Sequence, residues 1–366
     1  MDNLAGFNEL LENSNLNTKL NNLDNSKNDS NNNLKFNLNN NIENEYEVNK
    51  NEQKIVEIDD DSNENIENKG DNKDTPKTSQ ELLEEKLSSY LSNNKIKLLI
   101  GSMSNSTVSV NYFNSMILMT LYFNKYNIDF EIINITNDSI EHRVKNSISA
   151  KFLSDDSYTH LIFIDSNIGF SYKSILNLIM SDKEICGGLP NNSQINWSKV
   201  INIIRNINTD ENNKIKINQN ELISKSLNYN FNPIIYTNEN KEKTFKIENN
   251  LIECERISSD FMLIKKEALE FMISKYPTLQ YKNTIEGYND EKLKDYFYLL
   301  FDYERDIKTG KYYTSNETFC KRWCDLGKEL WIDITCNFSI NNKFNYTGSL
   351  FNILEDSIKL EINNNK

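Results

Sequence analysis

Apolar and polar positions divide the chain near Ser79. Before that point Asn, Asp, Glu, Lys and Ser dominate, in runs such as DNSKNDSNNNLKFNLNNN that hold too few apolar side chains to offset chain entropy. Residues 1–78 are therefore expected to form a disordered, Asn-rich leader. Within it Leu4, Phe7, Leu10, Leu11, Leu16, Leu20 and Leu23 fall on one helical face. The intervening Asn residues are poor helix formers, so a transient helix is expected there rather than a docking helix.

Beyond Ser79 the apolar positions become periodic. TSQELLEEKLSSYL reads as a helix entered through a Thr or Ser cap, and KIKLLIGSM as a buried strand ending in a loop. A helix over 109–126, the strand DFEIINIT, a helix through DSIEHRVKNSISAKFLSDD and the strand YTHLIFID follow in order. Such alternation predicts an α/β fold with a mostly parallel sheet flanked by helices. SYKSILNLIM then reads as a helix, EICGGLP as a short strand, and LIECERISSDFMLIKKEALEFMI as a strand followed by a helix. Residues 206–250 break the pattern with KIKIN, PIIYT and TFKIEN, which suggest small antiparallel strands in an insertion. The predicted organisation is one folded domain over 79–355, carrying that insertion, with a tail over 356–366.

Charge and cysteine usage remove several classes of function. The 366-residue chain carries a formal net charge of -13, a field that repels nucleic acid and anionic membranes. Its five cysteines, Cys186, Cys254, Cys320, Cys324 and Cys336, form an odd set that suits a reducing compartment better than a disulfide framework. No apolar run approaches the roughly 20 residues of a membrane-spanning helix. A cytoplasmic protein is expected.

Candidate chemistry centres on YTHLIFIDSNIGF. An apolar strand ends on Asp165, and in open α/β sheets ligands collect outside the carboxyl ends of the strands. An acid at that edge with a second oxygen donor two positions later can hold a hard divalent cation, which in turn neutralises a diphosphate. The ordinary alternative is a strand-end or capping carboxylate.

Several blocks together extend this reading. IEHRVKN with AKFL (140–153), THLIFIDSNIGF, CGGLPNNSQINW (186–197), DFMLIKKEALE (260–270), LLFD ending at Asp302 and TFCKRWCDLGKELWID (318–333) resemble, in order, the motifs of a GT-A-fold glycosyltransferase family of large DNA viruses and phages. The resemblance implies a nucleotide-diphosphate-sugar transferase, with a uridine diphosphate sugar as donor and a glycan or protein as acceptor. It implies donor-side roles for Arg143, Asn146, Asp165, Asn167 and Trp197. It also implies a divalent cation, Mn or Mg, held by an Asp-x-Asp pair and a late His.

The departures bear on mechanism. The Asp-x-Asp pair reads Asp165-Ser166-Asn167, so an amide replaces one carboxylate and Asp165 is the single acidic metal ligand left. The acidic pair before Phe-Cys reads Ser315-Asn316-Glu317, and the late His is missing near Ile340, where Asn341 and Asn342 stand; His142 and His160 lie elsewhere. An amide keeps lone pairs but discards charge, which weakens a hard-cation site. Arg143, Lys145, Arg256, Lys321 or Arg322 would then have to stabilise a departing diphosphate. Asp302, Glu317 and Asp260 are the candidate bases, the first two against plainer roles as a turn acid and a helix N-terminal acid. Asp260 stands where the family has Gly and is read as an ordinary acid. Trp197 and Trp323 could stack on a sugar, with core packing as the default, and Cys320 and Cys324 read as buried thiols. Two functions follow: sugar transfer from a nucleotide donor, or a catalytically inactive relative that serves as a binding or structural module.

Overall fold

The computed structural model describes residues 79–206, 217–237, 243–283, 291–342 and 345–354. The expected leader and tail lie outside the described residues, as does part of the expected insertion.

The chain begins with α1 (Ser79–Asn93), β1 (Lys97–Ser104), α2 (Val110–Lys125), β2 (Asp129–Thr136), α3 (Glu141–Leu153) and β3 (His160–Ile164). It continues through β4 (Ile168–Gly169), α4 (Tyr172–Met180), β5 (Ile185–Gly187), α5 (Trp197–Asn206) and α6 (Gln219–Lys225). Short strands β6 (Tyr236–Thr237), β7 (Lys243–Thr244) and β8 (Ile247–Glu248) precede β9 (Leu251–Cys254), β10 (Phe261–Lys265) and α7 (Lys266–Lys275). The last elements are β11 (Glu304–Arg305), β12 (Tyr312–Tyr313), α8 (Ser315–Asp325), β13 (Leu330–Asp333), β14 (Phe338–Asn341) and β15 (Asn345–Gly348). Helix starts follow local chemistry: Ser109, Ser171 and Asn218 cap α2, α4 and α6 with their side chains, and Thr314 with Glu317 forms a capping box on α8.

Eight strands form the main sheet in the order β2-β1-β3-β10-β5-β13-β9-β8. The α/β class and the flanking helices agree with the sequence, but the sheet is mixed rather than mostly parallel. Only β1/β2, β1/β3 and β5/β13 pair in parallel, whereas β10 runs against both β3 and β5, and β9 against both β13 and β8. The cause is local. Asn249, at φ 56°, makes a tight turn from β8 into β9, and a tight turn can join only antiparallel neighbours. Residues 255–260 then pass under α8, where Cys320 Sγ bonds both the N–H and the C=O of Ile257, and deliver β10 in the reverse sense. The segment read as one strand before a helix is therefore two strands. A second sheet, β15-β14-β4, lies beyond the end of β3, and the described part of 206–250 contributes α6, the β6/β7 hairpin and β8, the last of which joins the main sheet.

Each face of the main sheet buries its own core. Leu161 and Phe163 of β3 point to one, with Val144, Ile148 and Phe152 of α3 and Phe319 and Trp323 of α8. Ile162 and Ile164 point to the other, with Met119 and Phe123 of α2 and Ile175 and Ile179 of α4. This period-two division explains why β3 reads as unbroken apolar sequence: both of its faces are covered. Gly187 is required where β5 meets β10, because a Cβ there would lie 2.4 Å from Phe261 O. Trp323 belongs to the core, donating from Nε1 to Glu329 O at 3.0 Å, and all five cysteines are free thiols, four of them buried. Among the described residues no helix is long and apolar enough to cross a membrane.

His160 opens β3 at 5% exposure, with Nδ1 2.9 Å from Thr159 Oγ1 and Nε2 without a hydrogen-bond partner among the described residues. Burial, with help from the Lys265 charge, lowers its pKa from 6.5 to about 4. The folded state thus holds the neutral ring, so this contribution to stability is complete above pH 6.5 and is lost as pH falls toward 4. The loss amounts to about 3 kcal/mol at the acid end. Urea denaturation at pH 7.5 and pH 4.5 is expected to show a smaller acid-induced drop in stability for His160→Leu than for the wild-type chain.

Candidate functional site

Asp165 is carried to the carboxyl edge of the main sheet by the buried strand β3. Its Oδ1 accepts the Asn167 N–H at 2.7 Å, which turns the chain into β4, and its own N–H donates to Asp260 O at 2.9 Å. Asp260 immediately precedes β10, and because β10 runs antiparallel to β3, the end of one strand meets the start of the other. Both acids line a cavity of about 160 Å³.

Helix α3 supplies the opposite wall, where Glu141 and Lys145 lie one turn apart. Lys145 is buried, ion-paired with Glu141 and donating to Asn316 Oδ1 at 2.6 Å. Ser102, at the end of β1, lines the same space and shares a 2.7 Å hydrogen bond with Tyr112 Oη. Three carboxylates face one ammonium group, so the cavity attracts cations and opposes a bare phosphate. Burial pushes the Asp260 carboxyl above its ordinary range; the Ser258 hydrogen bond opposes that push and the Asp165 charge adds to it.

The sequence-derived residues separate into two groups. Asp165 lines the cavity, while Asn167 is exposed and contributes its backbone N–H to the Asp165 turn. Arg143 faces away from the cavity's acids and forms a bidentate pair with Asp138, at 2.8 and 2.6 Å. Asn146 is buried and clamps the backbone of Phe301, donating to its C=O at 2.7 Å and accepting from its N–H at 2.9 Å. Asp302, the next residue, is partly exposed and accepts the Tyr303 N–H at 2.8 Å. Glu317 closes the capping box with Thr314 and pairs with Arg256. Burial raises its carboxyl, but the Thr314 hydrogen bonds and the Arg256 charge outweigh this and hold it below the usual range. Trp197 stands 68% exposed in the first turn of α5. Arg143, Asn146, Asn167, Trp197, Asp302 and Glu317 do not line the cavity with Asp165.

Glu141 is the member that sequence reasoning did not place at the site; Lys145 stood among the cations offered for a diphosphate, and Asp260 among the acids but read as an ordinary one. The legible signal for Asp260 was an acid at the start of the apolar run FMLI, mirroring Asp165 at the end of LIFI. That mirror has meaning only if the strands are antiparallel neighbours.

Among the described residues no cluster of three or more His, Cys, Asp or Glu is arranged to hold a metal ion. Asp165 and Asp260 supply two hard oxygen donors at one cavity. Ions of the Mg class keep several waters and take one or two carboxylates together with substrate phosphate. The pair therefore fits a cation shared with a phosphate ligand and does not fit a closed cage of protein ligands.

The Asn146 clamp makes a separable prediction. Asn146→Ala leaves a buried N–H and C=O of Phe301 unpaired, and is expected to lower stability by about 2–5 kcal/mol. Urea denaturation measures it; a variant of unchanged stability would mean that Asn146 does not serve the architecture.

No family model matches this chain, and no curated protein matches it. Among solved structures, the crystal structure of A197 from STIV is similar over 68% of this chain and 86% of its own, at 12% sequence identity and a TM-score of 0.32.

Proposed function

We propose that the chain is a glycosyltransferase that uses a nucleotide-diphosphate sugar, with uridine diphosphate as the carrier, and that the diphosphate is held at the carboxyl-edge cavity through a divalent cation shared with Asp165 and Asp260. The observation that carries this reading is the position of those two acids, side by side on antiparallel strands at the edge where α/β sheets bind ligands. Asn167 stands where the resemblance expects a second acid, and Asp260 brings a second carboxyl to the cavity from another part of the chain.

The chemistry required is displacement at the anomeric carbon. An acceptor hydroxyl forms the new C–O bond, the bond from the sugar to the diphosphate breaks, and the hydroxyl proton passes to a base. A bound Mg or Mn ion would supply neutralisation of the diphosphate charge. Lys145, buried beside the acids, adds a fixed positive charge near the leaving group. Asp302 does not line the cavity and would have to reach the acceptor hydroxyl from outside it; it is the candidate base because its partly exposed carboxylate is engaged only by the neighbouring Tyr303 N–H among the described residues.

A second reading, a catalytically inactive binding module, is favoured by the engagement of Glu317 in a helix cap and of Arg143 in an ion pair. In that case the cavity still binds the nucleotide, but no sugar is transferred.

Thermal unfolding with uridine diphosphate, with and without manganese, tests the site, because a ligand that binds only the folded state raises the melting temperature. Stabilisation that needs manganese and disappears in Asp165→Asn and Asp260→Asn is expected. Stabilisation without manganese would move the diphosphate onto Lys145, and no response at millimolar nucleotide would end the nucleotide reading. Release of uridine diphosphate from its sugar conjugates separates the enzyme from the silent module. Asp260→Asn should also raise the melting temperature of the unliganded protein at pH 7. The folded state disfavours this buried charge, a cost that is absent at low pH and grows as pH rises through the raised pKa.

A further inference from the structure

A second depression, a groove of about 770 Å³, lies between α1, α4 and the β8–β9 turn and shares no lining residue with the carboxyl-edge cavity. Its volume falls in the range of roughly 300–1,000 Å³ usual for ligand sites. At its base is Asp333, the last residue of β13, only 5% exposed. Asp333 Oδ1 accepts both the N–H and the hydroxyl of Thr335, at 2.8 and 2.6 Å, whereas Oδ2 has no hydrogen-bond partner among the described residues. A buried carboxylate that lines a groove with only one of its two oxygens engaged is short of a donor.

The rest of the lining narrows what that donor is. The side-chain amides of Asn177, Asn249 and Asn250 face the groove without a side-chain hydrogen bond among the described residues, and Tyr90 of α1 adds a phenol and an aromatic face. Asn249 is also required by its left-handed backbone, but no conformational need accounts for Asn177 or Asn250. Each amide presents two N–H donors and one acceptor, and the carboxylate only accepts. A phosphate or sulfate, all acceptor, would meet Asp333 and Glu85 with only Lys86 in favour. A polyamine, all donor, would be drawn by Asp333 and Glu85 against Lys86 but would leave the amide N–H groups unmet. A neutral polyol offers a donor and an acceptor on every hydroxyl and satisfies both sets.

We propose that this groove binds a neutral oligosaccharide, with Asp333 Oδ2 accepting from one sugar hydroxyl and the amides of Asn177 and Asn250 bonding those beside it. The proposal does not rest on the nucleotide-sugar reading, and it stands or falls without it.

Calorimetric titration of the full chain with maltohexaose, cellohexaose and the hexamer of N-acetylglucosamine tests it, with spermidine and inorganic phosphate as comparators. At least one oligosaccharide should saturate the protein below about 10 mM. Asn177→Ala and Asn250→Ala should each weaken that binding roughly fivefold, as expected for one lost hydrogen bond. Asp333→Asn should weaken it further, and Asp165→Asn should leave it unchanged. Both asparagines are exposed, so their removal does not threaten folding. Absence of saturation by all three sugars, binding indifferent to the groove variants, or preferential binding of spermidine or phosphate there would each overturn the proposal.

Discussion

The pairing of β10 against β3 is the contact on which the rest depends. Phe261 stands opposite Ile164 and Lys265 opposite His160, so five consecutive residues of each strand close the centre of the sheet. Both strands are buried almost throughout, and their backbone groups have no water to turn to. A parallel strand in that position would have to enter from the opposite edge. The turn at Asn249 and the crossing under α8 deliver it from the carboxyl edge instead.

The electrostatics of the cavity follow from that reversal. An acid that ends β3 and an acid that begins β10 arrive at the same edge, with the backbone of one bonded to the backbone of the other. Their side chains share a cavity with Glu141 and Lys145. Burial disfavours charge on Asp260, and the nearby Asp165 adds to the effect. Charge on Asp260 is thus set against burial and a neighbouring acid, a cost that the strand pairing itself imposes.

Residues that resemble a nucleotide-binding set mostly hold the architecture around that edge. Asn146 fixes Phe301, which stacks on Phe319 at 4.3 Å and meets Phe163 edge-on. Glu317 begins α8 and, through Arg256, ties it to the segment that leads into β10. Arg143 secures the loop before α3 through Asp138, which also accepts the Ile140 N–H at 2.9 Å. These contacts bear on the site through positioning, by holding α3 and β10 at the distance that creates the cavity.

Periodicity alone determined the α/β class, the helices α2 to α4, the strands β1 to β3 and the placement of Asp165 at a strand end, because each depends on spacing within a single element. Glu317 as an acid in the first turn of α8 was equally legible, being chemistry between residues a few positions apart, whereas the Ser109 cap on α2 and the Thr314 cap on α8 came from the structure. Strand direction was not legible, because FMLI reads the same whichever edge it enters from. The grouping of Asp165 with Asp260, 95 positions apart in sequence, and the turning of Arg143 away from them depend on that direction and on which α3 side chains face the sheet. Only tertiary structure decided them, because hydrogen-bond pairing between strands is a relation between distant segments that no local pattern encodes.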